Sequence, residues 1–288
     1  MPTNKPPAEF YPSQRLQRLY EQGIRKITKR VLMPKAPSES FAQWLDRIAE
    51  RSRQTDIRLA SERLATQMVS RVYVTNARTW REAARRSSQS RKLYQLLQAE
   101  MQGATGARVT QLIRENAALI SSLPLEVATV LNGEITKAAQ SGARPGTIAK
   151  MAKHRFPELT RSRISLISRT ETAKASTVLT QARCERLNID WYLWETSHDQ
   201  RTRDSHKAMN GVLVPWSQAP SPEALVGEHS YGGYHAGETF NCRCLVIPIL
   251  TLDDVSFPAR VYWNGRITQM TKQDFRRIAV GMEERTAA

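Results

Sequence analysis

Apolar residues recur at helical spacing through the first two-thirds of the chain. Phe41, Trp44, Leu45 and Ile48 fall at i, i+3, i+4 and i+7, the stripe of a helix with one buried face. Ser40, with Gln43 three residues on, has the form of a capping box at the start of that run. The period continues more weakly through Leu64, Met68 and Val72, with Asn76 as a break point. Further helices are expected at about 88–102 (Leu93, Leu96, Leu97, Met101) and 107–120 (Val109, Leu112, Ile113, Ile120). Another starts at Pro124, a favourable first-turn residue, and runs to Gln140 before Gly142 stops it.

The pattern changes after the hinge signal Gly142-Ala-Arg-Pro-Gly146. A short helix (147–155) precedes a longer one from about Thr160 to Leu187, with Ile164, Ile167, Ala175, Val178, Leu179 and Ala182 inward. Ile189 to Thr196 then alternates aromatic and aliphatic residues as a strand does, and Val212–Val214 and Leu245–Ile249 read as further short strands. Between them, 215–241 is rich in Pro, Gly and Ser, a long loop that needs something to hold it. The fold class is therefore α+β, a mainly helical N-terminal half followed by a small α+β module. Four segments are expected: a proline-rich basic arm at 1–37, a basic helical domain at 38–142, the α+β module at 143–250 and a tail at 251–288. The arm holds one basic amphipathic piece, Gln14 to Val31, among six prolines, and is expected to order only on a partner.

Composition adds one sharp feature. The 288 residues carry a net charge of +16, and residues 1–120 hold 22 Lys/Arg against 10 Asp/Glu. A surplus of that size favours contact with DNA or another polyanion through counterion release; its dispersal along helices is equally that of a solvated basic surface. No apolar run approaches the ~20 residues of a membrane span, so no membrane partner is expected. The opening M-P-T-N-K-P-P lacks the apolar core of a secretory signal. Three cysteines, two as Cys242-x-Cys244, do not form a disulfide framework, and synthesis in a reducing cytoplasm is expected.

Candidate chemistry concentrates in Trp194–Cys244, which holds four of the five histidines and two of the three cysteines. His206, His235, Cys242 and Cys244 have the donor types of a tetrahedral zinc site that would clip the long loop, with His229 as an alternative to His235. The opposing reading is a histidine hydrogen-bonded in a polar core beside two reduced thiols. Arg169 and Glu171, two apart on one helix, cannot face each other. Asp199, Arg201 and Arg203 are their expected partners in a structural ion-pair cluster. His198 is expected to face solvent, and Cys184 to be an ordinary helix cysteine. No G-x-S-x-G, Walker loop or H-E-x-x-H is present.

The ordered motifs I-S-R-T-E-T-A-x-A (167–175), W-x-T-x-x-D-x-R-T-R-x-x-H (194–206), Gly211 and G-E-T-F-N-C-R-C (237–244) resemble the head morphogenesis domain of tailed-phage minor head proteins, the phage Mu F-like family. The resemblance covers roughly 145–250. Arg169, Thr170, Glu171, Trp194, Asp199, Arg201, Arg203, His206, Gly211, Asn241, Cys242, Arg243 and Cys244 occupy its motif positions. It implies a virion protein without enzymatic activity that acts in capsid assembly, DNA packaging or ejection. Such a protein would lie near the portal and in the head interior, in several copies, against portal or major capsid protein and packaged DNA. In parts of that family the ending is His-x-x-Cys-Arg-Cys, whereas His235 stands seven residues ahead of Cys242. Two other readings are a metal-dependent nuclease or a transferase acting on nucleic acid, built on His206, Asp199, Glu171 and His235 with Arg201 and Arg203 on phosphate, and an assembly chaperone absent from the mature particle.

Overall fold

The computed structural model describes residues 13–86 and 104–279. The helix expected at 88–102 therefore lies outside the described residues. The elements are α1 (Gln14–Val31), α2 (Phe41–Arg53), α3 (Thr55–Arg86), α4 (Ala104–Gln140), α5 (Pro145–Leu187), β1 (Trp191–Glu195), α6 (Asp204–Met209), β2 (Val212–Pro215), α7 (Pro222–Leu225), β3 (Leu245–Pro248), a 3-10 turn at Leu252–Asp254, β4 (Ala259–Trp263), β5 (Arg266–Met270) and α8 (Lys272–Ile278). The chain is α+β, with its sheet confined to the C-terminal part.

Two compact units divide it. Among the described residues, one gathers 72–86, 104–109 and 173–279; the other gathers Ser13–Arg71 and Thr110–Thr172. The units do not follow the expected cut at 142, because α3, α4 and α5 each contribute residues to both. Their length exceeds the sequence expectation for one reason. Pro124 and Pro157 lie inside α4 and α5 instead of starting or ending helices. A proline removes one main-chain donor. Near Pro157 the Thr160 hydroxyl donates to the Phe156 carbonyl (2.7 Å), supplying that turn with a side-chain bond. Asn76 likewise does not break α3. It is buried and donates to Thr180 Oγ1 at 2.9 Å while accepting from Arg183, so its amide is satisfied sideways.

In the helical unit, α1 corrects the expectation of an arm. Leu16, Tyr20, Ile24, Ile27 and Val31 recur on one face and are buried, Ile24 completely. The prolines at 12, 34 and 37 flank this helix without interrupting it. Ser13 caps its first turn by accepting from Leu16 N–H (3.4 Å), and Lys29 and Arg30 face the negative end of the dipole. The Tyr20 hydroxyl donates to Asn116 Oδ1 (2.7 Å), and the Asn116 amide in turn reaches Leu112 O (2.9 Å) and Glu171 Oε2 (3.4 Å). One buried polar chain thus runs from α1 through α4 to α5. The expected capping box at Ser40 and Gln43 is present. Trp44 donates from its indole to Met33 O (2.9 Å), fastening the segment that joins α1 to α2.

The other unit carries a five-stranded sheet in the order β3-β1-β2-β4-β5. β1 pairs antiparallel with β2 (Trp194 opposite Val212) and with β3 (Trp194 opposite Val246). β2 pairs parallel with β4, and β4 antiparallel with β5. Strand alternation sends Tyr192, Trp194, Val212, Val214 and Val246 to one face, where they pack with Trp80 of α3 and Cys184 of α5. Trp191, Leu213 and Val261 point the other way, onto Phe275 of α8. The expected tail is therefore corrected: 251–279 supplies two strands and a helix that cover the second sheet face. Its strands are short, and no side chain of β5 is fully buried, so no apolar run announces them.

If α1 is core, Ile24→Ala should lower stability by about 2–5 kcal/mol, the usual cost of truncating a fully buried aliphatic side chain. Urea unfolding monitored by circular dichroism measures this; a change below about 0.5 kcal/mol, as for a surface residue, would restore the arm.

Candidate metal and structural site

His206 sits on α6, between two groups that could hardly differ more in chemistry. Its Nδ1 lies 3.3 Å from Cys244 Sγ and 3.5 Å from Cys242 Sγ. Its Nε2 lies 2.9 Å from the Tyr234 hydroxyl, which donates onward to Glu223 Oε1 at 2.6 Å. Tyr234 has one proton and gives it to the carboxylate, so its oxygen accepts from His206 Nε2–H. This chain of bonds assigns the imidazole tautomer and leaves Nδ1 with a bare lone pair aimed between the sulfurs. All these side chains are buried: His206 is 3% exposed, Cys242 3%, Cys244 4% and Glu223 1%. Among the described residues, Glu223 Oε2 has no hydrogen-bond partner.

The sequence places them by several local devices. α7 starts with Pro222 in its first turn, where Glu223 is also favoured by the helix dipole. Trp194 projects from β1 edge-on to His206 (5.7 Å between centroids) and walls the chamber. Gly237 turns the chain with φ +88°, and a Cβ there would meet Thr177 Oγ1 at 2.6 Å. Next to it the Thr177 hydroxyl donates to Ala236 O (2.6 Å), docking the loop on α5. In the Cys242-Arg-Cys244 turn the Cys244 amide points at Cys242 Sγ (3.4 Å).

The two thiols behave as a pair sharing one proton. A hydrogen bond from Cys244 pulls Cys242 well below the usual thiol range. Cys244 is pushed up by the same bond and by burial. Burial, then the bond to Glu223, also raises the Tyr234 phenol and keeps it protonated. Among the described residues, His206, Cys242 and Cys244 form a group whose ligand atoms all lie within 4.8 Å of one another.

His235, expected as the fourth ligand, faces elsewhere. Its Nδ1 is 3.1 Å from the Tyr192 hydroxyl, its ring also bonds the Trp216 backbone, and it packs edge-on to Trp216 (5.1 Å). Burial lowers its pKa, so it is a neutral core histidine. The alternative, His229, is an exposed residue packed edge-on to Tyr231. Arg169 and Glu171 belong to the helical unit, where Arg169 reaches Ser165 Oγ (3.3 Å) and Glu171 accepts from Asn116. Asp199 pairs with Arg243 (2.8 Å) and caps the Arg201 amide (2.9 Å), while Arg203 donates to Phe240 O (2.8 Å) and lies 4.2 Å over the Phe240 ring. Asp199 and Arg203 thus clamp the 240–243 turn from outside. His198, although half-exposed, is paired with the buried Glu195. Tyr234, Glu223 and Tyr192 are additions to the expected site. The loop's Tyr and Glu residues carry no spacing signal that could mark them.

Residues 129–247 match the family described as Phage Mu protein F like protein. The segment is a phage Mu F-like domain. It takes in His206, both clustered cysteines, Tyr234 and Glu223. An uncharacterised protein of Haemophilus influenzae is 29% identical over 143 residues, which is 50% of this chain and 30% of the relative. The chain therefore spans under a third of the length of that curated relative. No solved structure matches it. The Mu F-like match stops before β4 and β5, which the sheet nevertheless requires.

Substituting Gly237→Ala should destabilise the domain by about 1–2 kcal/mol from the left-handed backbone alone, with an added cost from the Thr177 contact. Thermal unfolding checks this against Gly227→Ala. Gly227 also has positive φ, but a Cβ there meets nothing within 4 Å, so only the backbone cost should apply.

Proposed function

We propose that the chain is a structural minor head protein of a tailed phage. It acts in capsid assembly and in packaging or ejection of DNA, docking to portal or major capsid protein. The family ties it to phage head morphogenesis, and the burial of the site supports a role without enzymatic activity. A nuclease built on His206, His235, Glu171 and Asp199 would need reacting groups that meet a polynucleotide. Three of these four side chains are buried, at 3%, 6% and 8% exposure, and Asp199 is engaged with Arg243.

The observation that carries the DNA contact is the outer face of α1. Arg15, Arg18, Arg25, Lys26, Lys29 and Arg30 are all exposed, with Glu21 the one acidic residue of the helix. The packed face fixes this ridge in place, and Arg53, Arg58, Arg63 and Arg71 add exposed charge on α2 and α3. A helix anchored by its apolar side and basic on the other is suited to phosphates, since their neutralisation releases counterions whatever the base sequence. No helix among the described residues is long and apolar enough to cross a membrane. In this reading the protein remains in the virion, near the portal and in the capsid interior, in several copies.

DNA binding by the full chain should be independent of sequence and should weaken steeply with salt. Neutralising Arg15, Arg18, Lys26 and Lys29 together (each to Gln) should flatten the slope of log affinity against log salt by about 0.9 for each phosphate that the variant no longer neutralises. Fluorescence anisotropy across a salt series reads this. Affinity that is indifferent to salt, or unchanged in the variant, removes DNA from the role of α1.

A further inference from the structure

We propose that His206 Nδ1, Cys242 Sγ and Cys244 Sγ bind one zinc ion, which clips the 216–244 loop to α6. The distances carry the argument. Tetrahedral zinc with Zn–S of about 2.3 Å and Zn–N of about 2.0–2.1 Å requires N···S edges of about 3.6 Å. The observed edges are 3.3 and 3.5 Å. The tautomer agrees: Nδ1 presents its lone pair to the metal position, and Nε2–H is tied through Tyr234 to Glu223. Metal-bound histidines characteristically donate their other ring N–H to such an outer partner, which fixes the ring and raises its basicity. The buried Glu223 carboxylate, one oxygen without a partner, supplies negative charge to that outer shell. Two thiolates and an imidazole are the soft donors that suit zinc, not magnesium or calcium.

His235 is outside this set, because Tyr192 and the Trp216 backbone occupy its ring nitrogens. The chain supplies three donors, and the fourth position of the ion is left to a non-protein ligand. The ligands are 3–4% exposed and no substrate reaches them, so the ion's role is to hold structure. The gain is large where it is needed. His206 stands on a six-residue helix, the cysteines on a turn without regular structure, and the loop between them would otherwise be held by scattered side-chain bonds.

The experiment uses the full chain purified from zinc-supplemented cells. Elemental analysis should find about one zinc per chain. Cys242→Ser with Cys244→Ser should abolish it, as should His206→Ala, while His235→Ala should retain it. Cobalt substitution of the wild type should give sulfur-to-cobalt charge-transfer bands in the near ultraviolet, and this measurement stands even if the ligand variants fail to fold. Three results would overturn the proposal: a folded wild type without zinc under supplementation, a cobalt spectrum lacking thiolate bands, or zinc held by the double serine variant. Intact mass lower by two hydrogens would also overturn it, by showing a Cys242–Cys244 disulfide.

Discussion

The orientation of one imidazole governs the C-terminal unit. His206 must present Nδ1 to two sulfurs and Nε2–H to Tyr234 at the same time. Meeting both demands fixes α6 against β1, draws the 234–244 stretch inward and sets α7 where Glu223 can accept from Tyr234. Buried polar groups of this kind are tolerable only when satisfied together, which makes the chamber cooperative. A change to any member leaves its neighbours with unmet bonds in a site closed to solvent.

Around that chamber the sheet divides labour by parity. Tyr192 and Trp194 share a face of β1, and each receives part of the loop and its flanking helix: Tyr192 meets His235, Trp194 meets His206 and Tyr234. The odd-numbered residues of the same strand serve a separate apolar layer against α8. The helical unit follows a different rule. Its apolar faces do the packing, its long-range polar chain runs Tyr20–Asn116–Glu171, and the basic residues of α1 are left outward.

Much of this is legible in the chain itself. The Ser40 capping box, the three strands β1, β2 and β3 and the gathering of His206, Cys242 and Cys244 all follow from spacing and residue chemistry. What escapes has physical reasons. Neighbouring residues in an extended stretch point to opposite sides, so whether His235 or Tyr234 enters the chamber depends on a parity that composition does not reveal. Tyr234 enters. The partner of Asp199 is Arg243, forty-four residues away, and a pairing of that range leaves no periodic trace. α1 reads as an arm because prolines around a helix resemble prolines within a linker. β4 and β5 go unannounced because a short strand with one wet face has too few apolar positions to stand out.

The parallel pairing of β2 with β4 has a consequence for where this domain can be cut. The family match ends at residue 247, directly before the end of β3, yet one edge of β2 is covered only by Ala259–Trp263. All four residues of β2 are buried. A fragment stopped at that boundary would expose a short, flat, wholly apolar strand with its main-chain donors and acceptors free. Such an edge recruits strands from other molecules. The C-terminal hairpin therefore works as a built-in edge guard, and fragments lacking it would be prone to polymerise through β2 before the buried chamber could be studied at all.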